Sequence, residues 1–342
     1  MVNRQAAATS GYCELAHLEM YVGDASARAF EFVQRYGFRI VGPDCDSGRD
    51  HETVTLRSGS TVLVLTQGHT DEHPASEYVS RHGDGVADIA LRVPDADRAM
   101  RMALAAGARP VARRIAAFGD VTHSFVAAAP LASGQHQSGA IQPPLVDHVA
   151  ICLENGELDP TVDFYQQALG WRQIFAEDID VGAQAMQSKV VQSWCGGITL
   201  TLLQPQASAA PGQIDDFLKS HGGSGVQHVA LAVPDILRAV DDLSRRGVRF
   251  LTTPGTYYQE LAERMRHPGH PINSLAQRSI LADQDHDGQL FQIFTRSEHP
   301  RQTFFMEIIE RQGAKTFGSN NIRKLYEAVE RQRVAPAREL AS

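Results

Sequence analysis

The chain has 342 residues, enough for about two domains at the usual ~100–200 residues each. Its formal charge is -8 and no basic stretch could neutralise a row of phosphates, which excludes nucleic acid as the expected partner. No run reaches the ~18 apolar residues that span a bilayer, residues 1–11 lack the apolar core of a signal peptide, and Cys13, Cys45, Cys152 and Cys195 are scattered without CxxC spacing, so a reducing cytoplasm with buried, unreactive thiols is expected.

The first predicted strand is His17-Leu18-Glu19-Met20-Tyr21-Val22, and a helix follows that ends in EFVQRYGF. The alternating runs HETVTLRSG and STVLVLTQG predict two neighbouring strands with a turn at Ser58-Gly59. GVADIALRVPD (85–95) predicts another strand, and 96–106 a helix that closes at the glycine of AAGARP. Residues 133–144, rich in Gly, Ser, Gln and Pro, read as a linker.

The series then recurs. His148-Val149-Ala150-Ile151-Cys152-Leu153 answers the first strand, and its helix ends in DFYQQALGW. SKVVQSW and GITLTLLQP, with a turn at Cys195-Gly196-Gly197, answer the paired strands. GVQHVALAVPD (225–235) answers 85–95, with a helix closing at the glycine of RRGVRF. The chain therefore reads as α+β, two βαβββ units per half with mixed, curved sheets.

The repeat isolates what only the second half has. His148 matches His17, but His228 falls where the first half has Asp88. Glu307 interrupts the apolar strand Thr303-Phe304-Phe305-Met306-Glu307-Ile308-Ile309, where an acid is costly to bury unless paired or bound to a cation. The three positions lie 80 and 79 residues apart, on different strands that can converge in one cupped sheet. Two imidazoles and one carboxylate are the ligand set of non-haem Fe(II) oxygenases. Satisfied core histidines with an ion-paired acid are the competing reading for each residue alone.

The other polar clusters carry less. No strand acid follows Phe125, so no metal is expected in the first half. His51, His69, His73, His82, His123 and His136 are expected at the surface or in loops, and 267–271 in a solvated loop. Asp283, Asp285, His286 and Asp287 precede Gly288, which predicts hydrogen bonding in a turn.

These residues carry a family likeness over nearly the whole chain. VDHVAICL, FYQQALGWRQIF, PGQIDDFL, GSGVQHVAL, LFQIFTR and FFMEIIERQGAKTFGSNNIRKLYEAVE resemble the 4-hydroxyphenylpyruvate dioxygenase family, part of the vicinal oxygen chelate superfamily. The resemblance implies tandem βαβββ repeats forming two similar domains with cupped mixed sheets: a metal-free domain 12–132, a linker 133–144, and a catalytic domain 145–335 with a C-terminal lid helix. It implies Fe(II) held by His148, His228 and Glu307, with O2 and an aryl 2-oxo acid that is both substrate and reductant. No separate 2-oxoglutarate is required, and a homo-oligomer, dimer or tetramer, is implied. Ser188, Thr201, Gln213 and Gln292 match positions that hydrogen-bond substrate, and Phe294 and Phe317 would wall the aromatic ring, with plain core packing as the alternative for the two rings.

The family divides by product. One branch hydroxylates the ring and forms homogentisate; the 4-hydroxymandelate branch, which implies secondary metabolism and antibiotic biosynthesis, hydroxylates the benzylic carbon. This chain has Leu203 in Thr201-Leu202-Leu203-Gln204-Pro205 where the first branch commonly has Asn. It has Asn321-Ile322 and Leu325-Tyr326 where that branch commonly has Asn-Phe and Leu-Phe. Both departures resemble the benzylic branch. Ile322, Leu325, Tyr326 and Val329 have helical spacing, so 322–331 would be the lid, with Gly313 and Gly318 as hinges; a plain docked helix fits the same spacing. A metal-free binding protein, and an Fe(II) enzyme for another aryl 2-oxo acid, remain as alternatives.

Overall fold

The computed structural model describes residues 13–41, 48–128, 146–181, 184–206, 210–318, 321 and 323. The linker 133–144, His136, Cys45, Ile322, Tyr326 and, apart from Arg323, the rest of the expected lid helix lie outside the described residues.

The first half runs β1 (Glu14–Tyr21), α1 (Ala25–Tyr36), β2 (Arg39–Ile40), β3 (His51–Ser58), β4 (Thr61–Gly68), α2 (Pro74–His82), β5 (Gly85–Val93), α3 (Ala96–Ala105), β6 (Pro110–Val111), β7 (Arg114–Phe118), β8 (Val121–His123) and β9 (Phe125–Ala127). The second runs β10 (Val146–Cys152), α4 (Leu158–Ala168), β11 (Arg172–Val181), β12 (Gln184–Gln192), β13 (Thr199–Pro205), α5 (Gln213–His221), β14 (Gly225–Ala232), α6 (Ile236–Arg245), α7 (Gly255–Arg264), α8 (Ile272–Arg278), β15 (Leu281–Gln284), β16 (Gln289–Phe294) and β17 (Phe305–Gln312). The sheet orders are β2-β3-β4-β1-β5-β8-β7-β6, with β9 also on β5, and β11-β12-β13-β10-β14-β17-β16-β15. Each sheet is thus two βαβββ units joined through their first strands, curled into a cup, as the repeat predicts.

The repeated Val-Pro-Asp has a local reason. Asp95 and Asp235 are helix N-caps, accepting from the backbone N–H of Arg98 and Arg238. Side chains alternate along the central strands. Val149 and Ile151 face an apolar core that also contains Leu18, Ile89 and Leu91 of the first half, while His148 and Ala150 face into the second cup.

Several expectations change. His82 and His123 are buried rather than exposed, His82 stacked on His221 between the halves and His123 bridging Ile89 O and the Tyr165 hydroxyl. His123 sits on β8, whose two-residue alternation turns it inward; the short strand escaped the periodicity reading. Cys195 is exposed, its Sγ 3.0 Å from Cys13 O. Helices α7 and α8 interrupt the repeat in the second half, with no counterpart among the described residues of the first. The Asp285 turn is as expected: its carboxylate accepts from the N–H of Asp287 and Gly288.

Candidate metal centre

Four adjacent strands assemble the site. β10 lies antiparallel to β14, β14 parallel to β17, and β17 antiparallel to β16. Register places His148, Ala230 and Glu307 in one row across the cup, and Ala150, His228 and Phe305 in the next. The methyl groups of Ala150 and Ala230 leave the floor low, so longer side chains can meet above it.

They meet at one oxygen. His148 Nε2 lies 3.3 Å and His228 Nε2 3.2 Å from Glu307 Oε2, and all three residues are buried. The imidazole planes cross at 78°, directing both Nε2 atoms to the carboxylate from different sides. Each far nitrogen has its own partner: Asp147 Oδ1 at 2.8 Å for His148, and Gln227 Oε1 at 3.2 Å for His228. These hold each ring with Nε2 inward, the arrangement of a metal-ligating histidine.

The electrostatics fit a cation. Burial pushes the Glu307 carboxyl up, but His148 and His228 overcome it and hold it down at about 2. Burial disfavours charge on His148, yet Glu307 and Asp147 raise it to about 9. His228 is lowered by burial, against the pull of Glu307. A proton on His148 would balance the Glu307 carboxylate; a divalent ion bound by all three donors would balance it without that proton.

Among the described residues, Glu307 Oε1, Gln292 Oε1, Thr201 Oγ1 and Asn321 Nδ2 are buried and have no hydrogen-bond partner. Buried polar atoms are normally satisfied, so their gathering around one cup points to a polar ligand. Thr201 sits beside Ala150, and Gln292 lies on β16 two residues before Phe294. Gly318 has φ 71°, and a Cβ there would lie 2.8 Å from Gln292 Oε1 and 3.3 Å from Asn321 Nδ2, so a glycine is what fits between them.

Of the remaining expected residues, Ser188, Leu203, Phe294 and Phe317 gather in the same cup. Ser188 and Leu203 are partners across β12 and β13. Leu203 packs with Cys152, Ile179, Met186, Ile214 and Phe217, an apolar end to the cup. Gln213 is half-buried at the start of α5. Phe294 meets His228 edge-on at 5.8 Å between centroids, and Phe317 meets His148 edge-on at 5.2 Å.

Sequence reasoning missed three contributors. Phe305 stacks on His228 at 4.9 Å. Asn321 is fully buried, its Oδ1 accepting from the Tyr257 hydroxyl; Tyr257 lies on the inserted α7. Asp147 is gripped by Arg311, 164 residues away. Asp beside His148 was visible in VDHVAICL, but nothing local announces the arginine.

Asp50, His51 and His73 form a second grouping of metal-ligand types. The two imidazoles stack with 23° between planes, so their in-plane lone pairs cannot converge on one ion. His73 Nδ1 also accepts from the Ala75 N–H as a helix cap. This cluster is structural.

The family model of the Glyoxalase/Bleomycin resistance protein/Dioxygenase superfamily matches residues 145–293. A triple-substituted variant of 4-hydroxymandelate synthase from Streptomyces coelicolor superposes with a TM-score of 0.83 at 41% identity, covering 94% of this chain and 98% of that one. The 4-hydroxyphenylpyruvate dioxygenase of Dictyostelium discoideum is 30% identical over 92% of this chain and 97% of its own length. That of Danio rerio is 28% identical over 93% and 90%. Taken with the repeat and the converging His148, His228 and Glu307, these place the chain in the 4-hydroxyphenylpyruvate dioxygenase family of vicinal oxygen chelate proteins.

Proposed function

We propose that the chain is an Fe(II)-dependent oxygenase that decarboxylates 4-hydroxyphenylpyruvate with O2 and hydroxylates the benzylic carbon, giving 4-hydroxymandelate and CO2. One oxygen atom enters the new carboxylate and the other the benzylic hydroxyl, so no second 2-oxo acid is consumed. His148, His228 and Glu307 hold the metal, which when bound supplies electrons and open positions for O2 and the 2-oxo acid. The catalytic half is 145–335, joined by 133–144 to a metal-free half 12–132.

The chain's own side chains then bind and orient. Phe294 and Phe317 stand against the ligating imidazoles and wall the aromatic ring. Ser188, Thr201, Gln213 and Gln292 present polar groups to the substrate, and the unpartnered Thr201 Oγ1 and Gln292 Oε1 are two of the atoms it satisfies.

The observation that carries the benzylic choice is Leu203, 5% exposed in the apolar end of the cup. Without an amide there, nothing draws the ring across the donors, and a displacement of about 1 Å selects which carbon reacts. The Dictyostelium relative, named a dioxygenase, favours the second reading, homogentisate formation. Product analysis after incubation with Fe(II), O2 and 4-hydroxyphenylpyruvate decides: 4-hydroxymandelate is expected, and homogentisate as the main product replaces the proposal with the second reading.

A further inference from the structure

Arg311 lies on β17, four residues beyond Glu307. Its Nε and one terminal nitrogen donate to Asp147 at 2.7 and 2.8 Å, a two-pronged grip on the carboxylate that holds His148 Nδ1. Its other terminal nitrogen donates to Ala314 O at 3.2 Å and Thr316 O at 2.6 Å. The guanidinium carbon stands 5.0 Å from the Phe317 ring centroid. The same segment is fixed from the far side by Asp285, which accepts from the N–H of Lys315 and Thr316.

The repeat gives an independent check. His17 corresponds to His148, and register carries Glu307 onto Ser124. Asp147 and Arg311 then correspond to Ala16 and Ala128, so the first half, which lacks the triad, also lacks the ion pair. Among the described residues, His228 Nδ1 meets the neutral Gln227 amide. The charged support is therefore specific to one ligand of one cup.

We infer that Arg311 is a positioning residue that couples the His148 ligand to the wall of the substrate pocket: through Asp147 it sets the tautomer and aim of His148, and through the carbonyls of residues 314 and 316 it sets the Phe317 ring. The inference rests on His148 being a metal ligand. Metal affinity and aryl-acid binding should both depend on this guanidinium, whereas Asp147 serves the metal alone.

The test is anaerobic Fe(II) titration of the full chain, with KM for 4-hydroxyphenylpyruvate measured in parallel. Arg311→Met and Asp147→Asn are each expected to weaken Fe(II) binding about 10–100-fold. The double variant should be no weaker than the worse single one, because both act through one chain of bonds. Arg311→Met should also raise KM, and Asp147→Asn should not when Fe(II) is saturating. Arg311→Lys, which keeps the charge but not the fork, should recover only part of the loss. Should Arg311→Met fail to fold, the near-isosteric Asp147→Asn still reads metal affinity, and Arg311→Lys reads KM. A wild-type chain that binds Fe(II) while the variants bind it within twofold overturns the inference alone. A wild-type chain that takes up no Fe(II) overturns the metal reading and the inference with it.

Discussion

The two cups share one strand plan and solve opposite problems. In the second, Ala150 and Ala230 keep the floor clear, and His148, His228 and Glu307 meet above it. In the first, the corresponding ligand positions are His17, Asp88 and Ser124, and the position of Ala150 is taken by Glu19. Arg114, at the register position of Phe294, reaches into that cup. Its guanidinium donates to Glu19 at 2.6 Å and lies 3.8 Å from Asp88, which also accepts from Thr122 and Ser124. One built-in cation stands between two buried acids there. The carboxylate of the second cup is faced instead by two imidazoles, at 3.3 and 3.2 Å. A duplicated scaffold thus separates stability from chemistry: one cup is filled by the protein's own charges, the other is shaped to take a charge from outside.

The largest break in this comparison comes from the triad. His228→Ala and Glu307→Gln should each abolish turnover and iron uptake, read by O2 consumption and metal analysis, while the far-ultraviolet circular dichroism stays that of the wild type. Normal turnover in His228→Ala would remove the metal assignment.

Arg114→Met attacks the other cup. It leaves Glu19 and Asp88 buried without a counterion, and a lost partner of a buried pair costs about 3 kcal/mol. Iron content should not change. Urea unfolding checks the first expectation and metal analysis the second; lost iron with intact stability would mean the cups are not independent.

Much of this division was legible in the chain itself, because duplication supplies its own control. GVADIAL against GVQHVAL exposes His228, and the apolar setting of Glu307 marks it as unusual. The Val-Pro-Asp caps and helix-closing glycines were readable because capping is local. What escaped depends on distant partners. Arg311 finds Asp147 only when β17 and β10 flank β14, and Tyr257 reaches Asn321 only from a helix that the repeat does not contain. His123 looked like a polar loop residue, yet it joins the halves.

That histidine also fixes a pH dependence. Burial lowers His123 from 6.5 to about 4. The unfolded chain therefore binds the extra proton first, so its contribution is complete above about pH 6.5 and is lost as pH falls toward 4. The full difference is on the order of 3 kcal/mol. Urea midpoints at pH 7.5 and 5 should fall less for His123→Gln than for the wild type; equal falls would assign the acid sensitivity elsewhere, for instance to His221, also lowered to about 4.

The finest effect concerns product choice. Leu203 corresponds in register to Thr66 of the first cup, whose hydroxyl donates to Glu19. The same position can therefore carry a polar group that draws a partner across the cup, and in the second cup it does not. Leu203→Asn would place an amide opposite Ser188, among Cys152, Ile179 and Met186, where it must find a partner or remain unsatisfied. The substrate's polar groups are the partner within reach, so the ring should be pulled toward β13. A shift in preference of about 1.4 kcal/mol changes a product ratio tenfold. Chromatography of the products should show the homogentisate to 4-hydroxymandelate ratio rising by about that factor. An unchanged ratio with intact turnover would show that Leu203 does not set the regiochemistry, and would remove the observation that carries the benzylic choice.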